Sequence, residues 1–135
     1  MALTDEQRRF LEARHFGVLG TTNGSGSPQL TVMWYLLDGD KIVFNTAAGR
    51  QKQGNLERDP RVSLVVLYES GYKYIRIDGR VTIVTDHQTT QNDIRRLASR
   101  YYGDEARVER AMRENFGKQT RISYRLPTTR VYDYP

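Results

Sequence analysis

Residues 41–62 constrain the fold most, because they place a strand, a tight turn and a basic helix in immediate succession. Residues 42–44 form the apolar run of a strand, and the small residues 47–49 let the backbone approach a ligand closely. Arg50 and Lys52 follow where the turn enters the helix, whose free N–H groups and partial positive charge suit an anion. The segment therefore predicts a phosphate-binding turn. The alternative is a solvated basic helix face, as most such clusters are.

The segments on either side of this turn predict a mainly antiparallel β structure. Strand-like runs occupy residues 16–22, 28–37, 41–46, 61–68, 72–85, 120–126 and 130–134, and Asp38-Gly39 is typical of a hairpin turn. A first helix is predicted to begin at Thr4 and to end at His15, and two more span residues 86–102 and 105–116. The predicted fold class is mainly β (α+β), a barrel of about six or more strands with flanking helices. At 135 residues we expect one domain, 1–135.

The strand predicted at residues 28–37 divides into two faces because alternate side chains point to opposite sides. One face is apolar and is predicted to join the core: Leu30, Val32, Trp34 and Leu36. The other mixes polar and large groups and is predicted to face a ligand or a subunit: Gln29, Thr31, Met33 and Tyr35.

The sequence also predicts the burial of two later strand segments. The apolar run at residues 61–68 is predicted to be buried on both faces, and residues 72–85 to form one long strand or a bent pair with Gly79 at the bend. Ile75 and Ile77 point inward in this pattern. The opposite row, Tyr72, Tyr74 and Arg76, needs a flat ring or a second subunit, unless it forms ordinary cross-strand pairs.

Composition narrows the function classes. A net charge of +5 favours anionic partners, but the basic residues are dispersed and no nucleic-acid motif appears, so a phosphorylated cofactor is favoured over nucleic acid. The absence of cysteine excludes thiolate chemistry, and two histidines make a metal centre unfavourable. No apolar run approaches the ~20 residues of a membrane helix, and the polar N-terminus lacks a signal-peptide core. We therefore expect a cytoplasmic protein without membrane partners.

Several short motifs fit one family in order and spacing. They are a turn followed by Ser27-Pro28-Gln29-x-Thr31-x-x-Trp34, Asp38-Gly39, Asn45-Thr46, Arg50-x-Lys52, Asn55-Leu56-x-x-Asp59-Pro60-Arg61-Val62, Gly79-Arg80-Val81 and Arg130-Val131-Tyr132. In this pattern the chain resembles the pyridoxamine 5′-phosphate oxidase-like, split-barrel flavin-binding family. Within that family it looks most like the branch of F420-dependent oxidoreductases, in which F420 is a deazaflavin coenzyme.

The resemblance implies a split barrel and a homodimer that binds two cofactors at the subunit interface. It assigns the cofactor phosphate to Arg50 and Lys52, with Gln51 between them. It places Asn45, Thr46 and Ala47 near the ring, and Thr31 and Met33 along the ring face. Finally, it implies that two tyrosines reach the site, from the same or the partner subunit: Tyr72 and Tyr74.

The predicted function is hydride transfer from coenzyme F420 to a small organic acceptor, with no catalytic side chain assigned. An FMN-dependent flavoprotein and a non-catalytic flavin-binding protein remain alternatives, because both cofactors present a tricyclic ring and a phosphate. Arg9 and Arg14 are candidates to meet the longer anionic tail of F420. Pyridoxamine phosphate oxidation is disfavoured, since the chain is short and lacks the substrate-binding tail of those oxidases.

Overall fold

The computed structural model describes residues 3–134, which form nine strands and four α-helices. The strands are β1 (Gly17–Thr22), β2 (Pro28–Met33), β3 (Leu36–Asp38), β4 (Lys41–Ala47), β5 (Arg61–Leu67), β6 (Tyr74–Arg80), β7 (Thr82–Val84), β8 (Arg121–Pro127) and β9 (Val131–Tyr134). The helices are α1 (Asp5–Glu12), α2 (Gln51–Arg58), α3 (His87–Tyr102) and α4 (Glu105–Glu114), and a 3₁₀ turn follows at Phe116–Lys118.

The strands form two antiparallel sheets, which confirms the predicted split antiparallel barrel of the α+β class. One sheet has the order β2-β1-β5-β6-β9, and the other has the order β3-β4-β8-β7. Their inner faces enclose a core of fully buried side chains that includes Leu19, Phe44, Leu64, Ile77 and Tyr124. Burying each large apolar side chain contributes roughly 1.5–3 kcal/mol, so this shared core holds the sheets together.

Helix α1 begins as predicted but ends earlier. Thr4 and Gln7 form the predicted capping box. His15 lies three residues beyond the end of the helix, but its side chain still hydrogen-bonds to the backbone of Phe10 in the last turn, as the capping prediction requires, and its ring stacks on Phe10 with the centroids 4.3 Å apart. The helix ends at Glu12 because the Arg100 guanidinium donates hydrogen bonds to its free carbonyls, those of Leu11, Glu12 and Ala13.

The predicted strand at residues 28–37 is instead two strands, β2 and β3, in different sheets. At the break, the Tyr101 hydroxyl accepts a hydrogen bond from the Tyr35 backbone N–H at 3.1 Å, where a ladder partner would otherwise be needed. The predicted faces are reversed in β2, although Leu36 in β3 is buried in the core as predicted. Leu30 and Val32 are 68% and 71% exposed, whereas Met33 and Tyr35 are buried. Both rows are apolar enough for a core, so alternation alone cannot tell which row faces inward.

Strand β5 is not buried on both faces as predicted, because exposed residues alternate with buried ones along it. The bent pair predicted at residues 72–85 is confirmed as β6 and β7, which lie in opposite sheets, but the bend is not at Gly79, which pairs with Val62 inside β6. The chain crosses between the sheets at Val81, whose N–H donates to the Pro60 carbonyl at 3.0 Å. Ile75 and Ile77 are fully buried, as predicted.

Helices α3 and α4 cover the outer side of the four-stranded sheet. Asp86 caps α3 by accepting from the Thr89 N–H, and Gly103 ends it at φ +67°. A second cluster of buried side chains joins these helices to β3 and β4: Leu36, Val43, Ile94, Leu97, Ala98, Val108 and Met112. None of the helices within residues 3–134 has the length and hydropathy that crossing a bilayer requires.

Candidate functional site

A cleft of about 310 Å³ opens beside the junction of β4 and β8, between the start of α2 and the middle of α3. One wall is apolar and aromatic: Val32, Met33, Trp34, Ile94, Leu97, Tyr102 and Phe116. The other wall is polar and cationic: Asn45, Thr46, Arg50, Lys52 and Arg121. Ligand pockets commonly combine apolar walls with a few polar groups that orient the ligand.

Arg50 and Lys52 are positioned by the turn that the sequence predicted. Strand β4 ends at Ala47, and Gly49 then adopts φ +92°, a conformation in which a side chain would be strained. The Ala48 N–H donates to the Thr120 carbonyl at 2.8 Å, which ties the turn to the start of β8. Arg50 is the N-cap residue of α2 and makes no capping bond with its side chain. The turn therefore directs both basic residues into the cleft.

Arg121 is a third cation of this cleft, and the sequence reasoning missed it. It opens β8 directly opposite Ala47 of β4 and is only 7% exposed. Its Nε donates to the Asn45 Oδ1 at 2.8 Å, and another guanidinium nitrogen donates to the Gln119 Oε1 at 2.6 Å. The guanidinium also lies 5.2 Å from the centroid of the Phe116 ring. These contacts fix the position of the guanidinium beside the turn at residues 47–49.

Burial and neighbouring positive charge lower the pKa values of Lys52 and Arg121, and none of the three cations forms a salt bridge with any residue that the structure describes. Among residues 3–134, no Asp or Glu lines the cleft. Burial, and then the charges of Arg50 and Arg121, lower the pKa of Lys52. Burial, and then the charge of Arg50, lowers the pKa of Arg121 to about 10. A converging group of cations whose charged forms are disfavoured is an environment that an anion would stabilise.

The apolar wall is built from packed aromatic rings. The Trp34 indole stacks on Tyr101 with centroids 5.1 Å apart and planes 6° apart. It meets Tyr102 and Phe116 edge-on, at 5.2 and 6.4 Å. Trp34 was expected in the core and instead lies half-buried at the edge of the cleft. This wall offers a rigid, partly apolar surface to a flat ring.

Five of the predicted site residues line this cleft, namely Met33, Asn45, Thr46, Arg50 and Lys52. The other five do not: Thr31, Ala47, Gln51, Tyr72 and Tyr74. The Gln51 side chain donates to the Asn55 Oδ1 at 2.9 Å and so is directed elsewhere. Tyr72 is 81% exposed, and Tyr74 stacks on Tyr134 with centroids 5.2 Å apart. The binding role of all ten residues stays a prediction.

Neither Arg9 nor Arg14 lines the cleft. The Arg14 guanidinium donates to the Tyr101 carbonyl at 3.3 Å. Arg121, and not Arg9 or Arg14, supplies the third cation of the cleft. No sequence pattern indicated this, because only the pairing of β4 with β8 brings Arg121 beside Asn45.

The outer face of the five-stranded sheet is an exposed, largely apolar surface next to the cleft. We call this surface the outer face. Its apolar members are Val18, Leu30, Val32, Val65, Leu67, Tyr74, Tyr132 and Tyr134. Arg76 lies over the Tyr132 ring at 4.4 Å and pairs with Asp78 at 3.1 Å. Val32 belongs to both the outer face and the cleft, so the two surfaces are continuous.

Comparison with known proteins identifies related sequences. The family model described as pyridoxamine 5′-phosphate oxidase matches residues 3–132. An F420H(2)-dependent biliverdin reductase of Mycobacterium tuberculosis is 28% identical over 102 residues, covering 73% of this chain and 72% of that protein. A pyridoxine/pyridoxamine 5′-phosphate oxidase of Aeromonas hydrophila is 35% identical over 65 residues, which span 47% of this chain and only 31% of the oxidase.

Solved structures share the whole architecture. A conserved hypothetical protein of Mycobacterium tuberculosis superposes with a TM-score of 0.80 at 27% identity, covering 99% of this chain and 86% of that chain. An F420 reductase superposes with a TM-score of 0.75 at 24% identity, covering 96% of this chain and 98% of that chain. At that identity the second likeness bears on the fold alone.

Proposed function

Because this chain belongs to the pyridoxamine 5′-phosphate oxidase family, we propose that it is an oxidoreductase that uses coenzyme F420 to transfer hydride to a small organic acceptor. The coarser part of this statement, a flavin or deazaflavin oxidoreductase, is supported by the family match and by the F420H(2)-dependent relative. One observation carries the proposal: three cations without a counterion face an aromatic wall across a cleft sized for a small ligand.

The residues of the cleft suit both parts of such a cofactor. Arg50 and Lys52 hold the phosphate at the start of α2, where the guanidinium can donate two parallel hydrogen bonds. Arg121 adds charge beside them, already oriented by Asn45. The Asn45 amide also donates to the Thr90 carbonyl at 3.1 Å and to the Ser123 Oγ at 2.8 Å. Asn45 therefore acts as a positioning residue for Arg121 rather than as a free ligand group.

When bound, the deazaflavin ring supplies the hydride chemistry. The chain's own contribution is to bind, to orient and to exclude water. Met33 and Trp34 provide the apolar surface against which the ring is held. The cationic wall fixes the tail, so the face of the ring turned toward the open side of the cleft is the one presented to the acceptor.

The outer face supports a homodimer that completes this site. Leu30 and Val32 are the most exposed aliphatic side chains beside the cleft, and surfaces of this kind mark association sites. In a two-fold dimer through this face, Tyr74 and Tyr72 of the second copy would reach the first copy's cleft, as the resemblance implies. Leu30→Glu should convert the dimer to a monomer in sedimentation equilibrium. Ile83→Glu, on the other sheet, is the matched control, and a Leu30→Glu dimer would contradict the proposal.

FMN is the alternative cofactor, and the oxidase relative is the observation that favours it. A monoester phosphate on FMN and the diester phosphate of F420 both satisfy the cations of the cleft. The absorbance of the purified protein separates them, since an oxidised flavin spectrum indicates FMN. A protein that binds either cofactor but turns over no acceptor would be a non-catalytic flavin-binding protein.

Titration of the wild type with F420 and with FMN tests the proposed function. Lys52→Ala removes a charge-assisted contact and should weaken binding by about 1–3 kcal/mol, or about 5- to 150-fold. Lys41→Ala, an exposed residue at the other end of β4, should leave the affinity unchanged. Biliverdin is the first acceptor to assay, because a relative reduces it. A wild type that binds neither cofactor at micromolar concentration would refute the proposal.

A further inference from the structure

We propose a second anion-binding site, at the opposite end of β8, that takes a phosphorylated small molecule. A cleft of about 560 Å³ lies there between the start of β5, the end of β6 and the link from β8 to β9. Its lining comes from residues 61–63, 78–80, 127 and 129–130. This volume lies within the ~300–1,000 Å³ range of small-molecule sites.

Three arginines from distant parts of the chain converge on this cleft. Arg61 lies directly opposite Arg80 in the antiparallel register of β5 and β6, and Arg130 reaches the same cleft from the β8–β9 link. Like charges placed directly opposite one another in a sheet destabilise it. An arrangement that opposes folding in this way is expected where a ligand compensates for it.

The local carboxylates compensate these charges only in part: the pKa of Asp59 is lowered mainly by hydrogen bonds from Arg61, and the charge of Arg80 helps to lower it further. Arg61 is already engaged, since its guanidinium donates to both Asp59 carboxylate oxygens at 2.9 and 2.7 Å. Asp78, the one acidic residue of the cleft among those described, accepts from the Ser63 hydroxyl and from the Arg76 Nε. Within residues 3–134, the side chains of Arg80 and Arg130 make no hydrogen bond or ion pair. Two guanidinium forks are therefore free to bind an anion.

Hydrogen bonds join the backbone segments that carry these arginines, so the cleft is preformed. The Asp78 N–H donates to the Arg130 carbonyl at 3.1 Å, which joins β6 to the β8–β9 link. The link itself is anchored by buried Thr128, whose N–H and hydroxyl both donate to the Asp40 carbonyl. A rigid frame lowers the entropic cost of gathering the charges around a ligand.

This site is separate from the proposed cofactor cleft. Arg121 begins β8 and Pro127 ends it, and a seven-residue strand is about 20 Å long. Within one subunit, the phosphate held near α2 therefore cannot also contact Arg80 and Arg130. We assign a phosphate rather than an apolar ligand because guanidinium groups match its oxygens with paired hydrogen bonds.

The test uses pyrophosphate as the probe and an Arg50→Ala/Lys52→Ala protein, in which the first cleft is disabled. Amide chemical shifts in ¹H–¹⁵N spectra should move at residues 78–81 and 128–130 as pyrophosphate is added. Adding Arg80→Gln and Arg130→Gln should weaken this binding at least tenfold. The matched control adds Arg110→Gln and Arg113→Gln, two exposed arginines of α4, and should leave the affinity unchanged.

Chemical-shift changes confined to other residues would overturn the second site. Equal weakening of pyrophosphate binding by the Arg80/Arg130 pair and the Arg110/Arg113 pair would also overturn it, because it would indicate non-specific attraction to positive charge. An effect of chloride equal to that of pyrophosphate at the same ionic strength would overturn it as well. The result is independent of the proposed cofactor, because the first cleft is disabled in every protein compared. Failure of F420 and FMN to bind would refute the proposed function and leave this measurement standing.

Discussion

Arg121→Met should weaken cofactor binding while leaving the free energy of unfolding nearly unchanged. Methionine keeps much of the side-chain volume against Phe116 and removes the charge. A structural arginine and a ligand-binding arginine respond differently to this change, since only the first stabilises the protein without its ligand.

The pKa of Arg121 allows the change in the free energy of unfolding to be worked out for Arg121→Met. Burial, and then Arg50, lower it from 12.5 to about 10. A cation whose pKa is lowered by folding destabilises the folded state at every pH below the folded value, here by roughly 3 kcal/mol at pH 7. Methionine removes that cost but loses the hydrogen bonds to Asn45 and Gln119, worth about 1.5 kcal/mol each because their donor is charged. The net change should therefore lie within ~1 kcal/mol of zero.

We expect Arg121→Met to change the free energy of cofactor binding more than the free energy of unfolding. A hydrogen bond to a charged group contributes about 1.5–3 kcal/mol, which corresponds to roughly 10- to 150-fold in the dissociation constant. We expect this loss for whichever of F420 or FMN the wild type binds. Fluorescence titration measures the affinity, and urea denaturation of the cofactor-free protein measures the free energy of unfolding.

Arg125→Met is the matched control from the same strand. Arg125 donates to the Asp93 carboxylate at 2.7 Å, and the Asp93 side chain is only 1% exposed. Breaking a buried pair of this kind should lower the free energy of unfolding by about 3 kcal/mol and leave cofactor affinity intact. If Arg121→Met behaves like this control, losing stability but not affinity, the reasoning about the cationic wall is refuted.

Three further predictions concern the frame of the cleft. Asn55→Leu should lower the free energy of unfolding by about 1–3 kcal/mol in urea denaturation, because this fully buried amide joins α2 to the β1–β2 turn; an unchanged midpoint would contradict this. Gly49→Ala should cost about 1–2 kcal/mol from its positive φ alone, since nothing lies within 4 Å of the added methyl, and calorimetry should show a lower Tm. Burial raises the pKa of Asp93, but hydrogen bonds from Arg125 and Arg96 outweigh it and lower the pKa overall. Stability from this carboxylate is present above pH 3.8 and lost as the pH falls through its folded pKa, so Asp93→Asn should flatten the acid limb of stability against pH.

The elements that were predicted correctly depend on neighbours in the chain. The capping box at Thr4, the Asp86 cap and the Gly103 stop follow from hydrogen bonds within one helical turn. The turn at residues 47–49 and the basic start of α2 also depend only on neighbouring residues. Gly49 has a positive φ, which glycine adopts readily, and the helix begins two residues later. For this reason two of the three cations of the cleft, Arg50 and Lys52, could be predicted from the sequence.

The elements that were missed depend on pairing between distant strands. Arg121 enters the cleft only because β8 pairs with β4, and Trp34 lines it only because the chain leaves β2 at this point for the second sheet. The inward face of β2 was predicted wrongly for the same reason, since Leu30 and Met33 are both apolar and only the packing of β2 against β1 and the core buries Met33 rather than Leu30. Local chemistry thus determined the basic turn at residues 47–52, whereas the closing of two sheets decided which side chains surround it, because hydrophobic burial is non-directional and brings together residues that are distant in the sequence.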